Sequence, residues 1–332
     1  MSPGKNKFNN KKVSRQPHFI PKFYLIGFTE TEKEDGDLWV IDIEKGNQFK
    51  SNPKKAARQR DYYRINVPGL EPDLVEKEFA KLENQASEVI KKITCERKLP
   101  SPGEFDYDIL MNFITLMATR TPHFRNIFSE PMKEMGKFRL KLMLETPERW
   151  ESIKQKMKRS GYTVDENLSY EEMRSFAYGN DYEIKIDRGW QIANQLKLYE
   201  EILKLVSQRE WSLLISAEEE LKFICSDCPV ILEWTEKVSG FFGPGFGLPN
   251  TQLIFPLNKR YVLLGLFGNT LQTHLCYKES VARMNSQIGM YATRFIYSPN
   301  QDIIWFKKNK SYGNTKDLMD AIRNKKRSNE RQ

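Results

Sequence analysis

Four short constellations in this chain carry residue types that could do chemistry. Cys225-Ser226-Asp227-Cys228 sets two thiols three residues apart, the spacing of a redox pair or of half a zinc site. A redox pair of that kind sits on a strand-to-helix turn, whereas the residues after Pro229 read as a strand. Cys95, Cys276 and the histidines offer no second pair of ligands at matching spacing, so no metal and no cofactor is expected. Asp181-Tyr182-Glu183-Ile184-Lys185 matches the acid-x-Lys strand of metal-dependent nucleases, but such a site needs a further acid one strand earlier, and the preceding chain reads as helix. Alternating charge on an exposed strand explains that segment more simply. His18 stands between Pro17 and Pro21 just ahead of an aromatic run, where an imidazole can act as acid or base near neutral pH or can cap a turn. Arg120-Thr121-Pro122-His123 closes a helix; the arginine there can pair with the last carbonyls or reach out as a fork for carboxylate or phosphate. Neither a Gly-rich phosphate loop nor a Gly-x-Ser-x-Gly elbow occurs, which leaves nucleotide-triphosphatase and α/β-hydrolase readings without support.

The elements that must position these residues are bounded by composition. With 332 residues, 39% of them hydrophobic and 12% aromatic, the chain can build a real core, so wholesale disorder is excluded. No apolar run reaches the roughly 18 residues of a membrane span, and no secretory leader is evident, so no membrane contact is expected. Four dispersed cysteines make no disulfide framework and point to a reducing, cytoplasmic compartment. The formal charge of +9 is carried mostly by the ends: Lys5, Lys7, Lys11, Lys12 and Arg15 give +5 over residues 1–16, and residues 315–332 add +3. Basic arms of this kind grip nucleic-acid phosphate weakly and without sequence preference, or serve as solubility tails; a protein partner stays open.

Hydrophobic periodicity and breakers divide the chain. Lys22 to Ile43 reads as a hairpin about an acidic turn at Glu34, Asp35 and Gly36. Pro72 opens a strong amphipathic helix stopped by Pro100, Pro102 and Gly103, and a second helix runs from Tyr107 to Arg120. Residues 124–178 read as two or three charge-rich helices, Tyr182 to Ile186 as a short strand, and Ile192 to Arg209 as a long helix. From Trp211 short apolar runs replace helices: Trp211–Ser216, Leu221–Ile224, Val230–Trp234, Gln252–Phe255 and Tyr261–Phe267. They are followed by a helix over His274–Tyr291 and strands near Phe295 and Ile303. The glycine- and proline-rich stretch Phe241 to Pro249 reads as a mobile surface loop. The expected class is α+β, helix-rich in the N-terminal and middle regions with an N-terminal hairpin, and mainly antiparallel sheet in the C-terminal half. The expected organisation is a disordered basic arm over 1–16, a single domain over 17–312, and a C-terminal helix and basic tail over 313–332.

Several segments, in order, resemble a known family: His18-Phe-Ile-Pro21 through Phe28 with Leu38-Trp39-Val40, then Tyr62-Tyr63, Val75-Glu76 and Leu82-Glu83, then Phe113 with Arg120-Thr121-Pro122. The C-terminal half adds Trp211-Ser-Leu-Leu214, Phe223 through Val230, Phe255-Pro256-Leu257, and Asn285 leading to Ala292-Thr293-Arg294-Phe295. Their order and spacing resemble the bacterial domain of unknown function 4238 family over about residues 18 to 297. In that family the segment at Cys225 looks like Phe-Ile-Thr-Ser-Asp-Asn-Pro, so both cysteines stand where Thr and Asn are usual, which further lowers a thiol or zinc role. The resemblance draws attention to His18, Glu83, Arg120, Ser226, Asp227, Asn285 and Arg294. Each can belong to a ligand site or to a buried polar network that fixes a loop-rich fold.

The leading expectation is a phosphodiester-handling effector, such as a metal-independent RNA- or DNA-cleaving toxin or phage-defence component. His18 would act as acid or base, Asp227 would orient it, Arg120 and Arg294 would stabilise phosphate charge, and Glu83, Ser226 and Asn285 would support them. The alternative is a noncatalytic nucleic-acid- or protein-binding regulatory module. A third is an enzyme acting on a small molecule or a nucleotide derivative, with Phe241 to Pro249 as its lid.

Overall fold

A computed structural model describes residues 18–59, 62, 71, 73–179, 181–238, 243–268, 272–307 and 309–329. The arm over 1–16, Tyr63, Pro72, Phe241 and the last residues of the basic tail lie outside the described residues. In chain order the first half forms α1 (Lys22–Ile26), β1 (Leu38–Asp42), β2 (Asn47–Ser51), α2 (Leu74–Glu96), α3 (Phe105–Thr119), α4 (Pro122–Met143), α5 (Pro147–Arg159) and α6 (Tyr170–Tyr178). There follow α7 (Arg188–Ser207), β3 (Glu210–Ser216), β4 (Cys225–Ser226), β5 (Ile231–Trp234), β6 (Thr251–Pro256), β7 (Tyr261–Leu266) and β8 (Thr273–Cys276). The chain ends with α8 (Lys278–Tyr291), β9 (Phe295–Ser298), β10 (Trp305–Phe306), β11 (Tyr312–Gly313) and α9 (Thr315–Asn329). The class is α+β. Its contacts group residues 1–123 with 195–332 as one compact unit and 124–194 as another, where the sequence reads one domain over 17–312.

In the larger unit, a four-stranded sheet runs β2-β1-β9-β4 and a five-stranded sheet runs β5-β6-β7-β3-β8. All their pairings are antiparallel except β3 with β8. Side chains from both sheets, among them Ile41, Ile296, Leu214, Ile231, Ile254 and Val262, share a core with Val281 and Ile288 of α8 and Leu318 and Ile322 of α9. The terminal helix is therefore part of the core and not an appended tail. A second packing centre is aromatic: Tyr24 stacks on Phe255 with ring centroids 5.5 Å apart, and Phe113 meets the Phe255 ring at 6.0 Å. Helix α3 is buried on nearly every side, from Ile109 through Met117. It tolerates Thr115 and Thr119 in that setting because their hydroxyls donate to Met111 O at 2.8 Å and Thr115 O at 2.9 Å within the helix.

Arg209, between α7 and β3, is buried, and among the described residues no carboxylate pairs with it. Its guanidinium donates to Thr251 O (2.8 Å), Gly265 O (3.2 Å), Phe246 O (2.6 Å) and Thr251 Oγ1 (2.8 Å), and it lies 4.3 Å from the centre of the Phe267 ring. Burial pushes its pKa down to about 10. Thr251 Oγ1 also contacts Gly245 O and Leu248 O, so the described part of the Gly-rich loop is tied at its root. The bracing anchors one end of the segment that composition reads as a mobile surface loop, and its described residues are exposed or half-buried.

The hairpin near the N-terminus is displaced from its expected place. Lys22 to Ile26 coils into a helix after Pro21, because Tyr24, Leu25 and Phe28 bury at helical spacing and the Tyr24 and Phe28 rings meet at 5.2 Å. The hairpin is instead β1 with β2, closed through Gly46 at φ +68°. Leu221–Ile224 forms no strand; Phe223 N–H bonds singly to Lys259 O, and β4 is confined to the next two residues. Residues 274–276, placed in a helix by sequence, belong to β8 (Thr273–Cys276), and the helix begins at Lys278.

In the unit 124–194, Leu144, Trp150 and Ala177 form a small core joined by Leu140, Ile153, Leu168 and Met173. Helix α5 starts at Thr146, whose Oγ1 accepts Arg149 N–H, and α6 starts with a Ser169/Glu172 capping box. Tyr182 to Ile186 forms no strand. The alternation is real, with Tyr182, Ile184 and Ile186 half-buried and Glu183 and Lys185 exposed, but among the described residues no strand pairs with it, and Ile184 instead packs against Gly136 of α4.

A methyl group at Gly265, paired with Trp211 across β7 and β3, would lie 2.9 to 3.0 Å from three atoms of the Trp211 ring, which is fully buried. Gly265→Ala is therefore expected to lower stability by about 1–3 kcal/mol. Chemical denaturation of the two proteins checks this, and an unchanged midpoint would show that the indole moves freely.

Candidate functional site

The seven polar residues nominated by sequence fall into two networks, both in the larger unit. The first gathers at the end of α3. Arg120 caps that helix and is buried, with Nη1 donating to Glu83 Oε1 of α2 at 2.6 Å and Nη2 donating to the His18 carbonyl at 2.8 Å. Its guanidinium lies 5.6 Å from the centre of the Phe79 ring, and Tyr62 Oη donates to Arg120 O at 2.9 Å. His18 forms a single antiparallel bridge with Arg58, and its Nε2 donates to Pro53 O at 3.1 Å, which holds the ring proton on that nitrogen. Burial pushes the imidazole pKa down, and Arg58 adds to the effect.

Glu76 joins this cluster and was missed in the sequence reading as a site residue. It precedes Glu83 by seven residues on α2, two turns along the same face, and that spacing was the available signal. Burial raises its pKa, Asp73 and Glu83 raise it further, and Arg120 opposes them.

The second network is built on Asp227, which is buried. Its Oδ1 accepts Thr293 N–H at 2.8 Å, and its Oδ2 accepts Arg294 N–H at 2.7 Å and Phe295 N–H at 3.0 Å. One carboxylate thus satisfies three consecutive backbone donors where the chain leaves α8 and enters β9. Burial raises the Asp227 pKa against the opposing pull of these donors. The Arg294 side chain turns the other way and forks onto Asp42, with Nη2 to Oδ2 at 3.0 Å and Nε to Oδ1 at 3.3 Å, while Glu44 lies 3.3 Å from Nε. Burial works against the Asp42 carboxylate, but Arg294 and the Lys45 N–H outweigh it and hold its pKa below the ordinary value.

Asn285, fully buried on α8, accepts Ile224 N–H at 3.1 Å and donates to Lys222 O and Ile304 O, each at 3.0 Å. Ser226 Oγ closes a local turn, donating to Cys228 O at 3.0 Å and accepting Cys228 N–H at 3.2 Å. Burial pushes the Cys225 and Cys228 thiols well up, away from nucleophilic thiolates. Among the described residues no cluster of three His, Cys, Asp or Glu side chains could hold a metal ion.

The structure therefore brings His18, Glu83 and Arg120 together, and separately joins Asp227 to Arg294 with Ser226 and Asn285 nearby in the same strand-end framework. Among the described residues no hydrogen bond or ion pair links His18 or Arg120 to Asp227 or Arg294. Sequence also passed over Lys326 of α9, whose Nζ reaches Thr293 O, and the partnership of His123 with Tyr291, ring centroids 6.0 Å apart. Burial, and then Lys326, push the His123 pKa down.

An α+β fold whose polar cluster locks strand ends to helix ends is the class defined by these observations. The chain belongs to a family described as protein of unknown function DUF4238, whose profile matches residues 16–302. No curated protein and no solved structure matches it.

Two outcomes follow. Asn285→Ala strips partners from one backbone N–H and two carbonyls, so it is expected to cost about 3 kcal/mol or more in a denaturant titration; a loss under about 1 kcal/mol would contradict this bonding. The His18 and His123 imidazoles should titrate below 6.5 by NMR. Because the unfolded chain takes up these protons first, their contribution to stability is lost as pH falls from 6.5 toward the lower native values. Native midpoints at or above 6.5 would remove the burial argument.

Proposed function

We propose that this chain is a noncatalytic nucleic-acid-binding regulatory module that meets the phosphate backbone through its basic terminal helix. The observation that carries this reading is the two-sidedness of α9. Leu318, Met319 and Ile322 enter the core, while Lys316, Lys325 and Arg327 are exposed and Arg323 and Lys326 half-exposed. Lys307 pairs with Asp317 at 2.7 Å, which neutralises one of the two acids on the helix, and from Arg323 to Arg327 the helix carries four bases and no acid. Support also comes from how the nominated catalytic groups are used. His18 Nε2, both Asp227 oxygens, the Arg120 fork and the Arg294 fork are each bonded within the fold. Contacts of this kind bind phosphate by charge, weaken with salt and carry little base preference.

One observation favours the cleaving alternative. Glu76, a half-buried carboxylic acid that holds its proton above the usual range, stands in the cluster that contains Glu83 and Arg120.

Fluorescence anisotropy with labelled single- and double-stranded oligonucleotides tests the binding reading. Affinity should fall about tenfold or more between about 50 and 200 mM salt. The triple variant Lys316→Glu, Lys325→Glu, Arg327→Glu should bind weakly and with a flatter salt slope while keeping its melting temperature. The oligonucleotides should stay intact. Degradation that disappears in His18→Ala or Glu76→Gln would overturn the noncatalytic reading in favour of phosphodiester cleavage.

A further inference from the structure

Helix α4 has apolar residues on two opposite faces. One face turns toward the rest of residues 124–194: Gly136 lies against Ile184, and Leu140, with Leu144 just beyond the helix end, packs into the small core. The other runs Phe124, Phe128, Pro131, Met135, Phe138 and Leu142, in alternating steps of four and three residues. That alternation is the 3.5-residue repeat of a coiled-coil seam, whereas a helix that covers only its own core needs a single apolar stripe. The C-terminal half of the seam is open: Met135 is 61% exposed, Phe138 65% and Leu142 47%.

The charges beside the seam distinguish possible occupants. Glu134 and Lys141 each immediately precede a seam residue and so share one flank. From Met135 to Met143 the helix carries Lys137, Arg139 and Lys141 without an acid, and Glu130 and Glu134 precede that stretch. We propose that this face docks a second copy of the chain, with the two α4 helices antiparallel. A twofold axis between residues 136 and 137 sets Met135 against the partner's Phe138 and Pro131 against the partner's Leu142. The same axis places Glu134 opposite the partner's Lys141, twice over, as an isologous interface requires. A parallel pairing would stack both basic ends on each other. Glu134 already pairs with Lys137 in its own chain at 2.9 Å, but that contact is exposed and costs little to exchange. Lys141 lies 5.3 Å from the centre of the Tyr178 ring, within reach of the seam's edge.

Sedimentation equilibrium of the full-length chain tests this. The wild type should dimerise with a dissociation constant in the range of about 1–50 µM, and Phe138→Glu should weaken association about a hundredfold with an unchanged far-UV spectrum. Glu134→Lys and Lys141→Glu should each weaken it about tenfold or more, and an equimolar mixture of these two variants should recover wild-type association, since every facing pair is then attractive. A wild type that stays monomeric to about 100 µM overturns the proposal. So does association indifferent to Phe138→Glu, or a monomer whose melting temperature drops with that change, which would mean the face is covered within the chain. Weakening by Glu134→Lys but not by Lys141→Glu overturns the antiparallel arrangement.

Discussion

The carboxylate of Asp227 is the constraint on which the larger unit depends. Three successive N–H groups at the half-buried exit of α8 find their acceptor in this one side chain, where β9 begins inside its sheet, between β1 and β4. Supplying all three from one side chain fixes the angle between helix and strand. It also ties that junction to the end of β4, because Asp227 N–H returns a bond to Phe295 O at 2.9 Å. Arg294 extends the same joint outward: its carbonyl accepts Ile43 N–H at 2.9 Å and its guanidinium forks onto Asp42 at the end of β1. Three strand ends and one helix end thus meet at a single turn, and Asn285 repeats the arrangement one level deeper by holding Lys222, Ile224 and Ile304.

This economy explains why residues that look catalytic in the sequence turn out bonded to backbone. A fold with short strands and long irregular connections leaves many buried peptide groups outside any ladder. Side chains with two or more polar atoms are the means of satisfying them. Asp, Asn and Arg suit that task for the same reason that they suit active sites: each offers several directional bonds at once. The two networks also show that chemical type alone does not establish convergence. His18 and Asp227 are a natural acid-base couple on paper, yet each has its own partners, His18 at Pro53 and Asp227 at the start of β9.

Legibility followed length and periodicity. The long amphipathic helices and the apolar β-runs after Trp211 were readable because 3.6- and 2-residue patterns persist over many residues, and α3, α7, β3, β6 and β7 lie close to where the pattern places them. Short aromatic segments were ambiguous. Phe23 to Phe28 has strand composition, but Tyr24 buries against partners far along the chain, Phe113 and Phe255, which local sequence does not reveal. Tyr182 to Ile186 failed in the opposite sense: the alternation is present and half-buried, yet a strand is defined by its neighbour, and its neighbour is a helix. For the polar cluster, the resemblance gave the residue types, but only coordinates gave the pairings.

Arg209 shows how little a net charge says about interior chemistry. Its positive charge is balanced by the negative ends of carbonyl dipoles from three separate segments, spread over a flat, forked ion that hydrates weakly. An ammonium at the same place would concentrate its charge on one atom and could not span that ring of oxygens. Arginine-to-lysine exchange, ordinarily the mildest of changes, would here unfasten the glycine-rich segment from the sheet beneath it.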